Sequence, residues 1–178
     1  MKKIVKRLIV VVALLLTIFA GVSIAWLIHY NTLIAPMLKN EDLKYEGTSL
    51  YWKRYSAHDE ENHILYTVAA PRFLKFIGNI SVITAANYDE DWSLETDYVF
   101  SLLYNPRLFS NNLYSFDIYD YTDCEKMGDT HKTYSIFLDK DWNLVKESEE
   151  GIYEEFKDEI HSFFNDHILT FFGSEAFE

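Results

Sequence analysis

The sequence predicts an α+β protein: one N-terminal transmembrane helix, then an antiparallel sheet of about five to seven strands packed against a C-terminal amphipathic helix. Three observations carry the prediction. An uncharged apolar run extends from Leu8 to Ile28. Between Thr48 and Val145, short segments rich in β-branched and aromatic residues alternate with clusters of Asp, Asn, Gly and Pro. After Ser148, apolar residues return at helical rather than alternating spacing.

At about 1.5 Å of rise per residue, residues 8–28 span roughly 30 Å, the hydrocarbon thickness of a bilayer. Lys2, Lys3, Lys6 and Arg7 precede the run. The positive-inside bias then keeps residues 1–7 in the cytoplasm and puts residues 29–178 on the outer side of the cell membrane. Trp26 and Tyr30 suit an interfacial anchor. A cleaved signal peptide competes with this, because Ser23-Ile24-Ala25 sets small residues at the minus-three and minus-one positions of a cut after Ala25, which would release a secreted protein. However, Leu8 to Val22 already fills the length of a signal core, and Trp26, Leu27 and Ile28 carry the apolar run past that cut. A retained single-pass anchor is expected.

Residues 29–46 read as a stalk or broken helix, with Leu33, Ile34, Met37, Leu38 and Leu43 interrupted by Pro36. The extracytoplasmic domain is expected over 47–173, with 174–178 fraying. Strands are expected at 49–55, 63–69, 79–86, 97–104, 113–121 and 132–138, and a shorter one near 143–146. In the fifth of these, Tyr114, Phe116 and Ile118 alternate with Ser115 and Asp117, which gives one apolar and one wet face. The separators, such as Asp139-Lys140-Asp141, are short enough to make neighbouring strands antiparallel. A sheet with one apolar face needs a cover. Ile152, Phe156, Ile160, Phe163, Phe164, His167, Ile168 and Phe171 supply one as a helical stripe. Ser148 is the expected N-cap, Glu149 and Glu150 suit the positive end of the helix dipole, and Gly173 is placed to end the helix.

The chain carries a net charge of −12; the four basic residues before the span contribute +4, which leaves residues 29–178 at −16. So acidic a domain has no Lys/Arg stripe able to displace phosphate counterions, so nucleic acid is excluded as a partner. Cys124 is the single cysteine, so stability must come from packing rather than from an internal disulfide. Asn79-Ile80-Ser81 satisfies the N-glycosylation triplet, but the short basic leader and the lack of paired cysteines favour a bacterial envelope.

Calcium is the one metal for which the sequence offers a pattern. Asp139, Asp141, Asn143, Glu147 and Glu150 fall at positions 1, 3, 5, 9 and 12 of a calcium loop. The sharp-turn position that needs Gly is Leu144, however, and a hairpin turn between two strands accounts for the same residues. Otherwise no cofactor is expected. The chain lacks HExxH, paired cysteines, GxSxG and a Gly-rich phosphate loop. Of the histidines, His167 is expected within the apolar stripe, and His58, His63 and His131 in solvent near turns.

Aromatic residues make up 17% of the chain, with 13 Tyr, 13 Phe and 4 Trp. They cannot all pack on one side of one sheet, and Trp92, Tyr98, Tyr104, Tyr119 and Tyr121 are the expected binding face, rigid apolar plates with polar tips. The expected function is a non-catalytic, membrane-anchored binding or accessory domain of a bacterial envelope that recognises a protein partner or a cell-wall component. The alternatives are an envelope hydrolase using dispersed carboxylates and histidines, and a structural subunit of a membrane complex. Intact-mass analysis of the mature protein should return the full 21.0 kDa; a species beginning at Trp26 would show instead that the anchor is removed.

Overall fold

A computed structural model describes residues 2–76, 78–84, 97–106, 113–124 and 130–177. Helix α1 (Lys2–His29) leads the chain. Val5–Ile34 is long and apolar enough to cross a membrane, with a mean hydropathy of 2.9, and none of its most apolar window is buried inside the molecule. A core helix would spend that surface on its own fold, whereas this one leaves it free.

The chain then turns through a π-helical segment, Tyr30–Ile34, and a short 3₁₀ segment, Pro36–Leu38, that begins on its proline. These residues are not a spacer. Ile34 and Met37 are fully buried in the domain core and Leu33 nearly so, which is how the apolar residues of the expected stalk escape water. Gly78 makes the join possible: a Cβ there would lie 2.7 Å from Ile34 Cδ1 and 3.0 Å from the Ala69 carbonyl oxygen.

Eight strands follow: β1 (Lys44–Thr48), β2 (Trp52–Asp59), β3 (Ile64–Pro71), β4 (Asn79–Thr84), β5 (Tyr98–Asn105), β6 (Leu113–Asp120), β7 (Lys132–Leu138) and β8 (Leu144–Glu147). They form one sheet in sequence order, each antiparallel to the next. β2 to β8 coincide with the seven expected segments to within a few residues. β1 is additional, hidden in the sequence because Lys44-Tyr45-Glu46-Gly47-Thr48 is charged, bulged between Tyr45 and Gly47, and exposed along the sheet edge. Short, charged, bulged strands are how sheet edges avoid pairing with other chains.

Register separates two faces. Ile80, Tyr104, Tyr114 and Leu138 line up across β4 to β7, as do Val82, Leu102, Phe116 and Ile136. With Ile64, Tyr66 and Val68 of β3 these form the buried face. The opposite rows read Ile83, Ser101, Asp117, Ser135 and Ser81, Leu103, Ser115, Phe137.

The C-terminal segment covers the first face as α2 (Ile152–Phe163), a π turn (Phe164–Leu169) and α3 (Thr170–Phe172). Ile152, Phe156, Ile160, Phe164, Ile168 and Phe172 recur every fourth residue and are all buried. In a 3.6-residue helix, a step of four drifts by about 40°. The wider π turn takes up that drift and keeps the row against the sheet.

The start of α2 differs from expectation. Ser148 belongs to the sheet edge, where its N–H donates to the Ser135 carbonyl at 2.9 Å and its Oγ accepts the Ser135 N–H at 3.0 Å. Gly151 occupies the cap position at φ +88°, and the Glu147 carboxylate accepts the N–H groups of Gly151 (2.8 Å) and Tyr153 (2.9 Å). A carboxylate at a helix N-terminus meets both the unpaired donors and the positive dipole end. Gly173, at φ +78°, ends the helix as expected. Beyond it, Ser174–Ala176 form a 3₁₀ turn, and Phe177 docks with its ring 5.0 Å from those of Tyr104 and Phe164. An aromatic residue beside the core gains more by burial than by fraying. The tail is also tied to the linking segment by an ion pair between Lys39 and Glu175 and by the Asn40 amide donating to the Phe171 carbonyl at 2.8 Å.

Phe156 packs edge-on to Tyr98 at 5.1 Å and also meets Phe100 and Tyr134. Phe156→Ala should therefore cost about 3 to 5 kcal/mol in equilibrium unfolding. An unchanged denaturation midpoint would mean that α2 does not hold the sheet.

Candidate functional site

Among the described residues no helix covers the second sheet face. At one end lies a cavity of about 590 Å³ lined by His58, Leu65, Ile83, Val99, Tyr119, Tyr121 and His131, with Thr84 at its edge. Strand alternation places most of this lining. Leu65 pairs with His58 and Ile83, and Val99 pairs with Tyr119, so these side chains share the uncovered face.

Past the end of β6, the Tyr121 N–H donates to the Asp97 carbonyl at 2.7 Å and extends the tie between β5 and β6. On the β4 side, Thr84 Oγ1 accepts the Phe100 N–H at 2.9 Å and continues the ladder with a side chain where backbone pairing stops. Into this end the start of β7 brings His131. Its ring lies 4.7 Å from that of Tyr121 and 5.4 Å, edge-on, from that of Tyr119. Burial, with the nearby Asp117 carboxylate adding to it, pushes the Tyr119 phenol above its ordinary pKa, so it stays a neutral hydrogen-bonding group at physiological pH. Asp117 itself accepts a hydrogen bond from Ser135 Oγ at 2.6 Å.

Among the described residues the lining offers aliphatic side chains, two phenols, two imidazoles and a hydroxyl, and no carboxylate. Such a cavity can hold an apolar or aromatic group and orient it through tyrosine and histidine tips.

The five aromatic residues expected at a binding face are divided by the structure. Tyr119 and Tyr121 line the cavity. Tyr98 and Tyr104 sit beneath the C-terminal cover: Tyr98 packs on Phe156, and Tyr104 is 1% exposed and stacked on Tyr114 at 5.0 Å. Strand parity had separated these pairs, but which face would be covered depended on the helix. Trp92 lies outside the described residues. His131, expected in solvent, is half-buried between the two tyrosines, and His58, Leu65, Ile83 and Val99 carried no sequence signal of their own. Only the strand register, which aligns them across β2 to β6, brings them together.

The calcium-loop residues are engaged elsewhere. Asp139 Oδ1 accepts the N–H groups of Asp141 (2.8 Å) and Asn143 (2.9 Å), and the Asn143 side-chain amide donates to Oδ2 at 3.1 Å. That is the β7–β8 turn, and Trp142 takes φ +64° within it so that its ring stacks on Tyr114 and His161. Asp141 faces solvent beside Lys140, Glu147 caps α2, and Glu150 is exposed. Among the described residues no group of three or more His, Cys, Asp or Glu side chains converges on a point that could hold a metal ion.

Comparisons with protein-family models, with curated proteins and with solved structures find no match to this chain. What stands is the class: an α+β domain with an apolar N-terminal helix, an eight-stranded antiparallel meander and a C-terminal helix on one face.

The cap of α2 gives a pH test. Hydrogen bonds from the Tyr153 and Gly151 N–H groups hold the Glu147 carboxyl below its usual pKa. A depressed folded-state pKa stabilises the protein above the unfolded value, and that contribution is lost as pH falls through the folded value. In melting curves taken from neutral pH down to about pH 3, Glu147→Gln should lower the midpoint at neutral pH and flatten its fall on the acid side. Parallel curves for the two proteins would show that Glu147 does not cap the helix.

Proposed function

We propose that the chain is a single-pass envelope protein, N-terminus in the cytoplasm, whose outer domain is a non-catalytic binding module. Its ligand is an apolar or aromatic segment of a protein partner, seated in the cavity between Tyr119, Tyr121 and His131. The observation that supports this is a sheet face that no described helix covers, bearing a 590 Å³ cavity whose described lining is largely apolar and holds no carboxylate. Sites that anchor interfaces use such pockets, in which tyrosine supplies contact area at low entropic cost and histidine supplies direction. A sugar site of this size would place carboxylate or amide side chains beside its aromatic plates, so a protein segment fits better than a cell-wall glycan. The anchor supports the same reading, because a domain fixed at a membrane surface meets its partner at a raised effective concentration and needs only modest intrinsic affinity.

A photo-crosslinking residue at Tyr121 in the full-length protein in its native membranes should give one discrete adduct. The adduct should fall about tenfold in a His131→Ala, Tyr119→Ala background whose melting temperature is within a few degrees of the parent. An adduct of equal yield from Asp141, in the β7–β8 turn at the opposite end of the sheet, or one indifferent to the cavity substitutions, would overturn the proposal.

A further inference from the structure

The end of the sheet nearest α1 carries an unusual concentration of exposed apolar side chains. In the turn between β1 and β2, Leu50 is 71% and Tyr51 49% exposed; in the connection between β3 and β4, Phe73 is 53% and Phe76 38% exposed. The two turns are tied together. The Arg72 N–H donates to the Tyr51 carbonyl at 3.0 Å, the Arg72 guanidinium to the Ser49 carbonyl at 3.1 Å, and Lys75 Nζ sits 4.9 Å over the Tyr51 ring. Left in water, such a patch lacks a reason in the fold.

The connection between β3 and β4 also lies alongside the anchor. Trp26 Nε1 donates to the Lys75 carbonyl at 2.9 Å. The Phe73 ring is 5.0 Å from Trp26 and 6.4 Å from Phe19, and Phe76 is 5.4 Å from His29. Phe19 lies about 10 Å closer to the middle of the span than Trp26, at 1.5 Å per residue. A ring that touches both is therefore carried to the depth of the lipid headgroups or below once α1 spans a bilayer with Trp26 at the interface. The charge agrees. The outer domain is strongly acidic, yet residues 47–58 and 63–88 contain no Asp or Glu and hold Lys53, Arg54, Arg72 and Lys75. Aromatic residues flanked by cations on an otherwise acidic body match an interface with acyl chains below and anionic phosphates above. The Lys75 N–H donates to the Arg72 carbonyl and the Lys75 carbonyl receives Trp26, so both backbone groups of Lys75 are already paired where the turn approaches lipid.

We infer that these two turns form a second, built-in membrane contact beside the anchor: Phe73 and Phe76 enter the outer leaflet, Leu50 and Tyr51 rest at its surface, and Arg72 and Lys75 meet lipid phosphates. This rests on the reading of α1 as a membrane span. The domain then stands at a fixed height and angle rather than swinging on its helix.

The test uses the full chain with Cys124→Ser, reconstituted in vesicles of phosphatidylcholine and phosphatidylglycerol. An environment-sensitive fluorophore is placed in turn through Phe73→Cys, Phe76→Cys, Leu15→Cys and Glu61→Cys, and is quenched by spin-labelled lipids. Positions 73 and 76 should be quenched at least about twofold more than position 61, which lies at the opposite end of the sheet. Adding Arg72→Glu and Lys75→Glu should reduce quenching at 76 in the anionic vesicles and leave it unchanged in pure phosphatidylcholine. Quenching at 15 with none above the position 61 level at both 73 and 76 overturns the second contact and leaves the anchor standing. No quenching at 15 overturns the anchor and the contact together. Insensitivity to the charge reversal removes the phosphate contact from the proposal.

Discussion

Every other feature depends on the contact between one row of side chains and one face of the sheet. Ile152, Phe156, Ile160, Phe164, Ile168 and Phe172 press on β3 to β7, and a long meander has little else to hold it in a single layer. An antiparallel sheet tolerates water on one side only when the other is buried. Because the described residues supply one cover, the choice of covered face also decides which face they leave open, and so where the cavity lies. The π turn belongs to this constraint: a repeat of four residues persists along the sheet only if the helix widens midway.

The second organising feature is the continuity between the N-terminal apolar helix and the domain. Ile34 and Met37 belong to the same core as Tyr66 and Val82, and Gly78 lets the sheet approach them. Lys39 and Asn40 then reach the C-terminal end through Glu175 and Phe171. The start and finish of the domain are therefore joined on the side nearest α1. Motion of the helix and motion of the sheet are mechanically linked, whereas a flexible stalk would have separated them.

Much of the architecture was legible in the sequence because its signals are local. Short β-rich segments marked seven strands, helical spacing marked the C-terminal helix, and an uncharged run marked the N-terminal apolar helix. What escaped depends on pairing. β1 has no apolar alternation and exists because β2 offers it an edge. The cap of α2 passed from Ser148 to Glu147 because the sheet claimed Ser148 first. The candidate cavity was half legible: parity put Tyr119 and Tyr121 on the side opposite Tyr114, but not which side the helix would take. For that reason Tyr98 and Tyr104 were grouped with exposed residues they never meet. His131 carries no pattern of its own and gains its place from the register of β6 with β7. Phe177, read as part of a loose end, is buried because the core still had an aromatic gap beside Tyr104 and Tyr114.

The position of the cover at the end of the chain bears on how the molecule is made. Synthesis delivers the strands in the order in which they pair, each next to its finished neighbour, so the sheet can assemble by short-range hairpin steps. Its greasy side, however, stays bare until residues 152–172, which follow all eight strands, have been made. A half-product of that kind exposes the apolar face that the cover would bury, and such surface favours association over folding.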